Sequence, residues 1–365
     1  MSVKSWVLLL LFVILASLIE CTRENGTSET LILVHAVFRH GDRTPDEFGR
    51  YPNDPYKNDS YFPTGSGELT DRGKRREYSV GKSLRKRYNK FLGDLYTPGL
   101  LDARSTNFSR TQMSLLLVLA GLFPPTGRQN CDLLQIWQPI PYTYEPTATD
   151  KVLGFFTACP NFLILVKENL KSEQAQKISN KYVNVLKHIS ENAGWNSTNI
   201  FHAFILYITL ETEKETGRKL PKWTSQIYPQ PLQKLASETY LVITGTTKLK
   251  QIGAGYLLQK ILKDTQAKIK KQENKKLYLY SGHEMNVAFI LNTFGVFKPH
   301  VPPYGSHILL EIHKINGEYG IKMFYENYKS IGTGLLTISG CEQFCPLDKF
   351  TSLVEKYFPD DNVCG

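Results

Sequence analysis

Residues 31–38 form a nearly continuous apolar run rich in branched side chains, the pattern of a strand buried on both faces. The run stops abruptly at Arg39-His40-Gly41-Asp42-Arg43-Thr44-Pro45. After a loop rich in Pro, Tyr, Asn and Asp, Thr70 is placed to cap a helix reaching about Phe91. That helix would carry Tyr78, Leu84, Tyr88 and Phe91 on or near one face. Its other face would hold Lys74, Arg75, Arg76, Lys82, Arg85, Lys86 and Arg87, read as solvated surface. A second helix over 111–122 ends before Phe123-Pro124-Pro125. From about 137 to 242 the pattern is helical, broken by prolines and poor in strand signal, as expected of an inserted helical subdomain. A long helix over 246–271 and a short strand over 276–280 follow, the strand ending at Ser281-Gly282-His283-Glu284. A closing hairpin is expected over 307–314 and 320–325. Strands alternating with helices predict an α/β fold with one helical interruption.

The first twenty residues stand outside that pattern. Lys4, an apolar run over 6–16 and then small and polar residues have the layout of a secretory signal peptide over 1–20. The run is too short for a spanning helix, and residues 356–365 carry no apolar tail, so a secreted chain without a membrane anchor is expected. At 365 residues, 41% hydrophobic and 21% charged, the chain has ordinary globular composition, and fibrous or wholly disordered classes are excluded. The formal charge is +10. Removing residues 1–20 takes away Lys4 and Glu20 and leaves that surplus unchanged, so it belongs to the mature protein. A positive field attracts anions, but no nucleic-acid module accompanies it and no nucleic-acid partner is expected.

Export changes how the cysteines read. Cys21, Cys131, Cys159, Cys341, Cys345 and Cys364 become disulfide candidates. The Cys341/Cys345 spacing suits a small closed loop or half of a zinc site. No second paired motif completes such a site, which favours the disulfide; the other pairings do not follow from spacing. Four Asn-x-Ser/Thr sequons, at Asn25, Asn58, Asn107 and Asn196, would be surface positions if glycosylated.

The chemistry collects where strands end, the usual ligand position in open α/β sheets. Arg39 and Arg43 flank His40, and guanidinium groups are planar forks that bind phosphate oxygens in pairs. Together they describe an anion pocket with a nucleophile or acid at its floor. Gly41 lets backbone approach closely there. Arg104 and Arg110 precede or open the helix near Thr111, whose first N–H groups also suit an anion. His35 reads as a core or edge histidine. The other histidines show no metal-ligand grouping, and no metal or cofactor is expected.

Those motifs, with Gly67-Glu68-Leu69-Thr70, Arg104-Ser105-Thr106, Arg110-Thr111 and Trp137-Gln138-Pro139-Ile140-Pro141, resemble the histidine acid phosphatases across essentially the whole mature chain, most nearly the secreted insect venom-type group. The resemblance implies a mixed, mainly parallel sheet with helices on both faces, formed by 30–136 and 243–364, and a smaller helical cap domain over 137–242. It implies hydrolysis of phosphate monoesters through a phosphohistidine. His40 matches the nucleophile; Arg39, Arg43 and Arg110 match the phosphate clamp; His283 matches the second phosphate-pocket histidine. Most members place Asp directly after that histidine as proton donor, and here the residue is Glu284, which keeps the carboxyl and adds a methylene. A second class of reading is a catalytically weakened secreted phosphate-pocket binder or venom component. The resemblance also pairs Cys341 with Cys345 and Cys159 with Cys364. It gives Cys131 no matching partner: Cys21 is available to pair with it if it survives processing, and otherwise Cys131 is a free thiol or an intermolecular link. It puts Trp137 at a homodimer contact, against the plainer reading of a core tryptophan.

Overall fold

The computed structural model describes residues 30–130, 137–328, 333–360 and 362–365. The segment read as a signal peptide, Cys21, Asn25 and Cys131 lie outside them. Eight strands form one sheet: β1 Leu31–Arg39, β2 Leu101–Ser105, β3 Thr143–Tyr144, β4 Leu277–Gly282, β5 His307–Ile315, β6 Glu318–Glu326, β7 Gly334–Leu336 and β8 Cys345–Pro346. Their order is β3-β2-β4-β1-β5-β6-β7, with β8 beside β6. The expected mixed sheet divides at β1. Pairings from β3 through β4 to β1 are parallel, and those from β1 through β5 and β6 to β7 and β8 are antiparallel. The antiparallel half is wider than a mainly parallel reading expects, because β7 and β8 are short and carry little pattern of their own.

Alternate residues of β1 feed two cores. Val34, Ala36 and Phe38 pack with Val80, Leu84 and Tyr88 of α1 (Asp71–Leu92) and Leu115, Val118 and Leu119 of α2 (Ser109–Leu122). Leu33 and Val37 face the opposite way into a larger core. None of these five β1 side chains retains exposed surface, so the continuous apolar run follows from helices on both faces of the sheet. Thr70 caps α1, its hydroxyl accepting from the Gly73 N–H at 3.1 Å. The buried stripe of α1 runs through Glu77, Val80, Leu84, Tyr88 and Leu92, while Tyr78 is exposed. The basic face is also less solvated than it reads. Arg76 turns in to Asp42, and Arg87 to Glu311 at 2.8 Å.

The helical stretch comprises α3 Phe155–Ala158, α4 Asn161–Asn169, α5 Glu173–Lys181, α6 Val183–Asn192, α7 Ile200–Glu215 and α8 Leu232–Ile243. Thr143–Tyr144 precedes it and pairs with β2, so part of the stretch read as inserted belongs to the sheet edge. The helices share one continuous core with the sheet, running from Phe204 and Tyr240 to Phe289 and Ile312. The long helix expected next is α9 Thr247–Lys250 and α10 Tyr256–Ile269, joined by a π turn at Gln251–Gly255. In that turn Gly253 meets the Phe289 ring and Gly255 the Tyr357 carbonyl, closer than a Cβ would allow. Then come α11 Glu284–Thr293 and α12 Leu347–Val354. Disulfides join Cys159 to Cys364 and Cys341 to Cys345. His35 lies in the core, stacked on Tyr278 at 4.9 Å and bonded through Nε2 to the Thr265 hydroxyl at 3.1 Å. Burial depresses its pKa to about 3, with Lys260 adding to the effect.

Candidate active site

Parallel pairing of β1 with β4 puts Arg39 opposite Gly282, so the residues that follow the two strands emerge side by side. His40 N–H donates to the Gly282 carbonyl at 3.0 Å, and the His40 and His283 rings meet edge to face with centroids 5.4 Å apart. The two histidines are thus neighbours at the carboxyl end of the sheet. Both are buried.

The tautomer of His40 is set by its own turn. Nδ1 lies 2.8 Å from the Gly41 carbonyl oxygen, which can only accept, so Nδ1 carries the proton and Nε2 keeps its lone pair. Burial holds the imidazole well below the usual histidine range, reinforced by the charges of Arg110 and Arg39, by His283 and by Arg43. Both effects favour the neutral imidazole, whose free lone pair is then at Nε2. His283 is depressed in the same way, by burial and then Arg110, Arg43 and Arg39. Its Nε2 lies 3.1 Å from the Thr106 hydroxyl, and the Phe108 and Phe156 rings stand edge-on to it. The turn after His40 can run where it does because two glycines meet. A Cβ on Gly41 would sit 2.6 Å from the Gly73 carbonyl, and one on Gly73 would sit 2.1 Å from that of Asp42.

Three guanidinium groups converge on this pair. Arg39 is almost wholly buried, lies flat over Tyr304 at 3.8 Å and donates to the Pro302 carbonyl at 2.7 Å. Arg43 donates to the Thr44 carbonyl at 2.9 Å and lies 3.3 Å from Asp46, which also faces Arg110 at 3.7 Å. Burial alone would raise the Asp46 carboxyl; Arg43 and Arg110, with backbone N–H groups, hold it below the usual range. One carboxylate therefore serves two arginines and leaves a positive excess. Burial, with Arg43 close by, pushes Arg110 down to about 10. Arg39 Nη2, Arg43 Nε and Arg110 Nε are buried without hydrogen-bond partners among the described residues. An unmet buried donor costs about 1–3 kcal/mol, more when charged, and guanidinium donors of this kind suit an oxyanion. Glu284, the first residue of α11, places Oε2 3.4 Å from Arg39 Nε and is partly open to solvent.

Arg104 does not join them. It is held by Asp150 at 2.6 Å and Glu145 at 3.0 Å. Asp42 has a supporting part that the pattern did not reveal, accepting a two-pronged contact from Arg76 at 2.5 and 3.1 Å and one from Arg72 at 3.1 Å. Among the described residues no group of three or more His, Cys, Asp or Glu side chains could hold a metal ion.

The sequence profile of the Histidine phosphatase superfamily (branch 2) matches residues 30–326. The chain belongs to that superfamily. It is thereby a phosphomonoesterase. It is 38% identical over 343 residues to a venom acid phosphatase of Apis mellifera, covering 92% of this chain and 87% of that one. It is 34% identical over 339 residues to the prostatic acid phosphatase of Homo sapiens, covering 92% and 87%. The solved phytase of Hafnia alvei shares the fold, with a TM-score of 0.67 at 17% identity over 92% of this chain and 98% of that one.

The loop carrying Asp46 is anchored to the helices. Gly49 accepts from the Thr209 hydroxyl of α7, Tyr56 donates to the Lys219 carbonyl at 2.8 Å, and Asp59 pairs with Arg218. Beneath it the carboxyls of Asp54 and Glu213 meet, both buried. Burial, with the charge of and hydrogen bond to Asp54, pushes Glu213 up to about 8. An unfolded glutamate titrates near 4.3, so the folded phosphatase keeps a proton that the unfolded chain releases. The stability this contributes is complete below about pH 4.5 and is lost as pH rises through about 8. Glu213→Gln supplies the hydrogen bond without the proton. Thermal melts from pH 4.5 to 8.5 should show the variant losing less stability than the parent, and parallel curves would refute the shared proton.

Proposed function

We propose that this phosphatase is a secreted acid phosphatase that hydrolyses phosphate monoesters through a phosphohistidine on His40. In this reading the phosphoryl oxygens lie among Arg39, Arg43, Arg110 and His283. The lone pair of His40 Nε2 attacks phosphorus, the P–O bond to the alcohol breaks, and the departing oxygen takes the proton of the Glu284 carboxyl. Water then attacks the phosphohistidine and gives a proton to Glu284, and the P–N electrons return to Nε2. Phosphoryl transfer depends on positioning and on charge spread over the equatorial oxygens, and three buried guanidinium groups supply both. The observation that carries the assignment is the setting of His40, whose Nδ1 is committed to the Gly41 carbonyl while burial and then the nearby arginines hold the ring below the usual histidine range. The stretch 137–242, apart from Thr143–Tyr144 at the sheet edge, would act as the cap over the site. The two disulfides, the exposed sequons at Asn58, Asn107 and Asn196, and relatives such as a venom enzyme support an extracellular setting. Trp137 is 42% exposed, which sets aside the core reading and suits the homodimer contact. Sedimentation at micromolar concentration tests that contact.

A covalent intermediate gives this mechanism a kinetic signature. With a short alcohol added as competing acceptor, the ratio of alkyl phosphate to inorganic phosphate formed should be the same for every substrate, because every leaving group has departed before the acceptors compete. A ratio that changes with the leaving group would mean direct attack by water and would remove His40 from the nucleophile's role.

A further inference from the structure

Arg39 and Tyr304 have a second setting. Beyond the three arginines they line a cavity of about 410 Å³ between α7, α8 and the segment before β5, with Arg72, Arg76, Glu211, Glu215, Lys234 and Glu238 among its walls. Most of these charges are already matched. Arg72 and Arg76 are turned to Asp42, Glu215 reaches Arg72 at 3.8 Å, and Glu238 is taken by Lys181 at 2.6 Å and the Tyr182 hydroxyl at 2.9 Å. Glu211 is different. It accepts one hydrogen bond, from the Tyr207 hydroxyl at 2.8 Å, and has no ion pair among the described residues. Lys234 stands exposed, where solvent and salt screen its charge, whereas Glu211 is partly buried. A second buried group points to a ligand in the same place. Tyr304, which lines this cavity and carries Arg39 over its ring, is 4% exposed, and its hydroxyl is buried with no hydrogen-bond partner among the described residues.

We propose that this cavity is the leaving-group subsite and that it selects phosphomonoesters whose alcohol carries an ammonium group, with Glu211 receiving the ammonium and the Tyr304 hydroxyl bonding to the substrate's polar chain. The inference rests on the reading that places the phosphoryl group at Arg39. It follows from where the unmatched charge lies: an ester held by its phosphate at Arg39 projects its alcohol past Tyr304 toward a carboxylate that has no ion pair among the described residues. A leaving group bearing further phosphates would meet that carboxylate instead.

Aminoethyl phosphate and propyl phosphate test this, since they have nearly the same shape and differ in the ammonium. The readout is the ratio of kcat/KM for the two esters within one enzyme preparation at pH 6, which cancels the amount of active protein and any intrinsic difference in reactivity when variants are compared. In Glu211→Gln the ratio should fall roughly tenfold, as expected when a charge-assisted hydrogen bond is exchanged for a neutral one. Glu211→Asp, which keeps the charge, should retain most of the preference. A ratio unchanged within about twofold in Glu211→Gln would overturn the inference and leave the assignment of His40 intact. His40→Ala instead removes turnover of both esters. Its failure to do so would count against the mechanism and not against the subsite.

Discussion

Replacing His40 with alanine is expected to lower kcat by about four orders of magnitude or more on any phosphomonoester, nitrophenyl phosphate included, because the variant has no atom to form the covalent intermediate. The arginine pocket remains, so KM should change far less than kcat. That split separates a missing nucleophile from a damaged binding site. The fold should tolerate the change, since the His40 N–H to Gly282 bond belongs to the backbone and Arg39, Arg43 and Arg110 are anchored elsewhere. Loss of a few-fold only, with the melting temperature preserved, would mean that another group attacks phosphorus. A parent chain whose own turnover already matched that of the variant would fit the other reading, a weakened phosphate-pocket binder.

Glu284→Gln has the second-largest expected effect, and it should depend on the leaving group. An alkoxide cannot depart without a proton, so hydrolysis of an alkyl phosphate should slow by about 10³, roughly 4 kcal/mol of barrier. Nitrophenolate departs without help, and hydrolysis of its ester should slow by less than about tenfold. The position of the carboxyl supports the donor role, since Glu284 opens α11 directly after His283 and its oxygen lies 3.4 Å from Arg39, a guanidinium of the clamp. Equal losses on the two esters would remove Glu284 from proton donation and leave it as an ion-pair partner of Arg39.

How much of this was legible depended on whether the information was local. Strand β1 and the Thr70 cap rest on contiguous residues, and so does the cluster Arg39-His40-Gly41-Asp42-Arg43, so pattern and chemistry located them. Position 283 was legible as a strand end, and the parallel register of β1 with β4 is what turns two distant histidines into neighbours. Features that depend on partners far along the chain were not legible. Arg104 reads as an anion ligand until Asp150 takes it, and Arg76 and Arg87 read as solvated until Asp42 and Glu311 draw them inward. Tyr304 carries no motif. Its interest comes from the arginine held over its ring and from a hydroxyl buried without a partner among the described residues. The Asp54/Glu213 pair is invisible for the same reason, since each residue alone is an ordinary surface carboxylate in the sequence. Glu77, fully buried in α1 and held well above the usual carboxylate range by burial, partly opposed by Arg76, sits within a stretch that reads as strongly basic and solvated.

The positive surplus of the sequence now divides by location. Part of it lies on exposed lysines, part is neutralised by Asp42, Glu311 and Asp150, and the share facing His40 comes from Arg39, Arg43 and Arg110. Net charge alone pointed to some anion. Those three groups around His40 suit an oxyanion, and the family the chain belongs to makes that anion a phosphate monoester.

The most direct measurement is to quench the enzyme in alkali during turnover of a ³²P-labelled phosphomonoester, where phosphohistidine survives, and to sequence the labelled peptide. The label should be found on His40 in stoichiometric proportion to active sites and should be absent from His40→Ala. Label on any other residue, or steady turnover with none on His40, would contradict the mechanism.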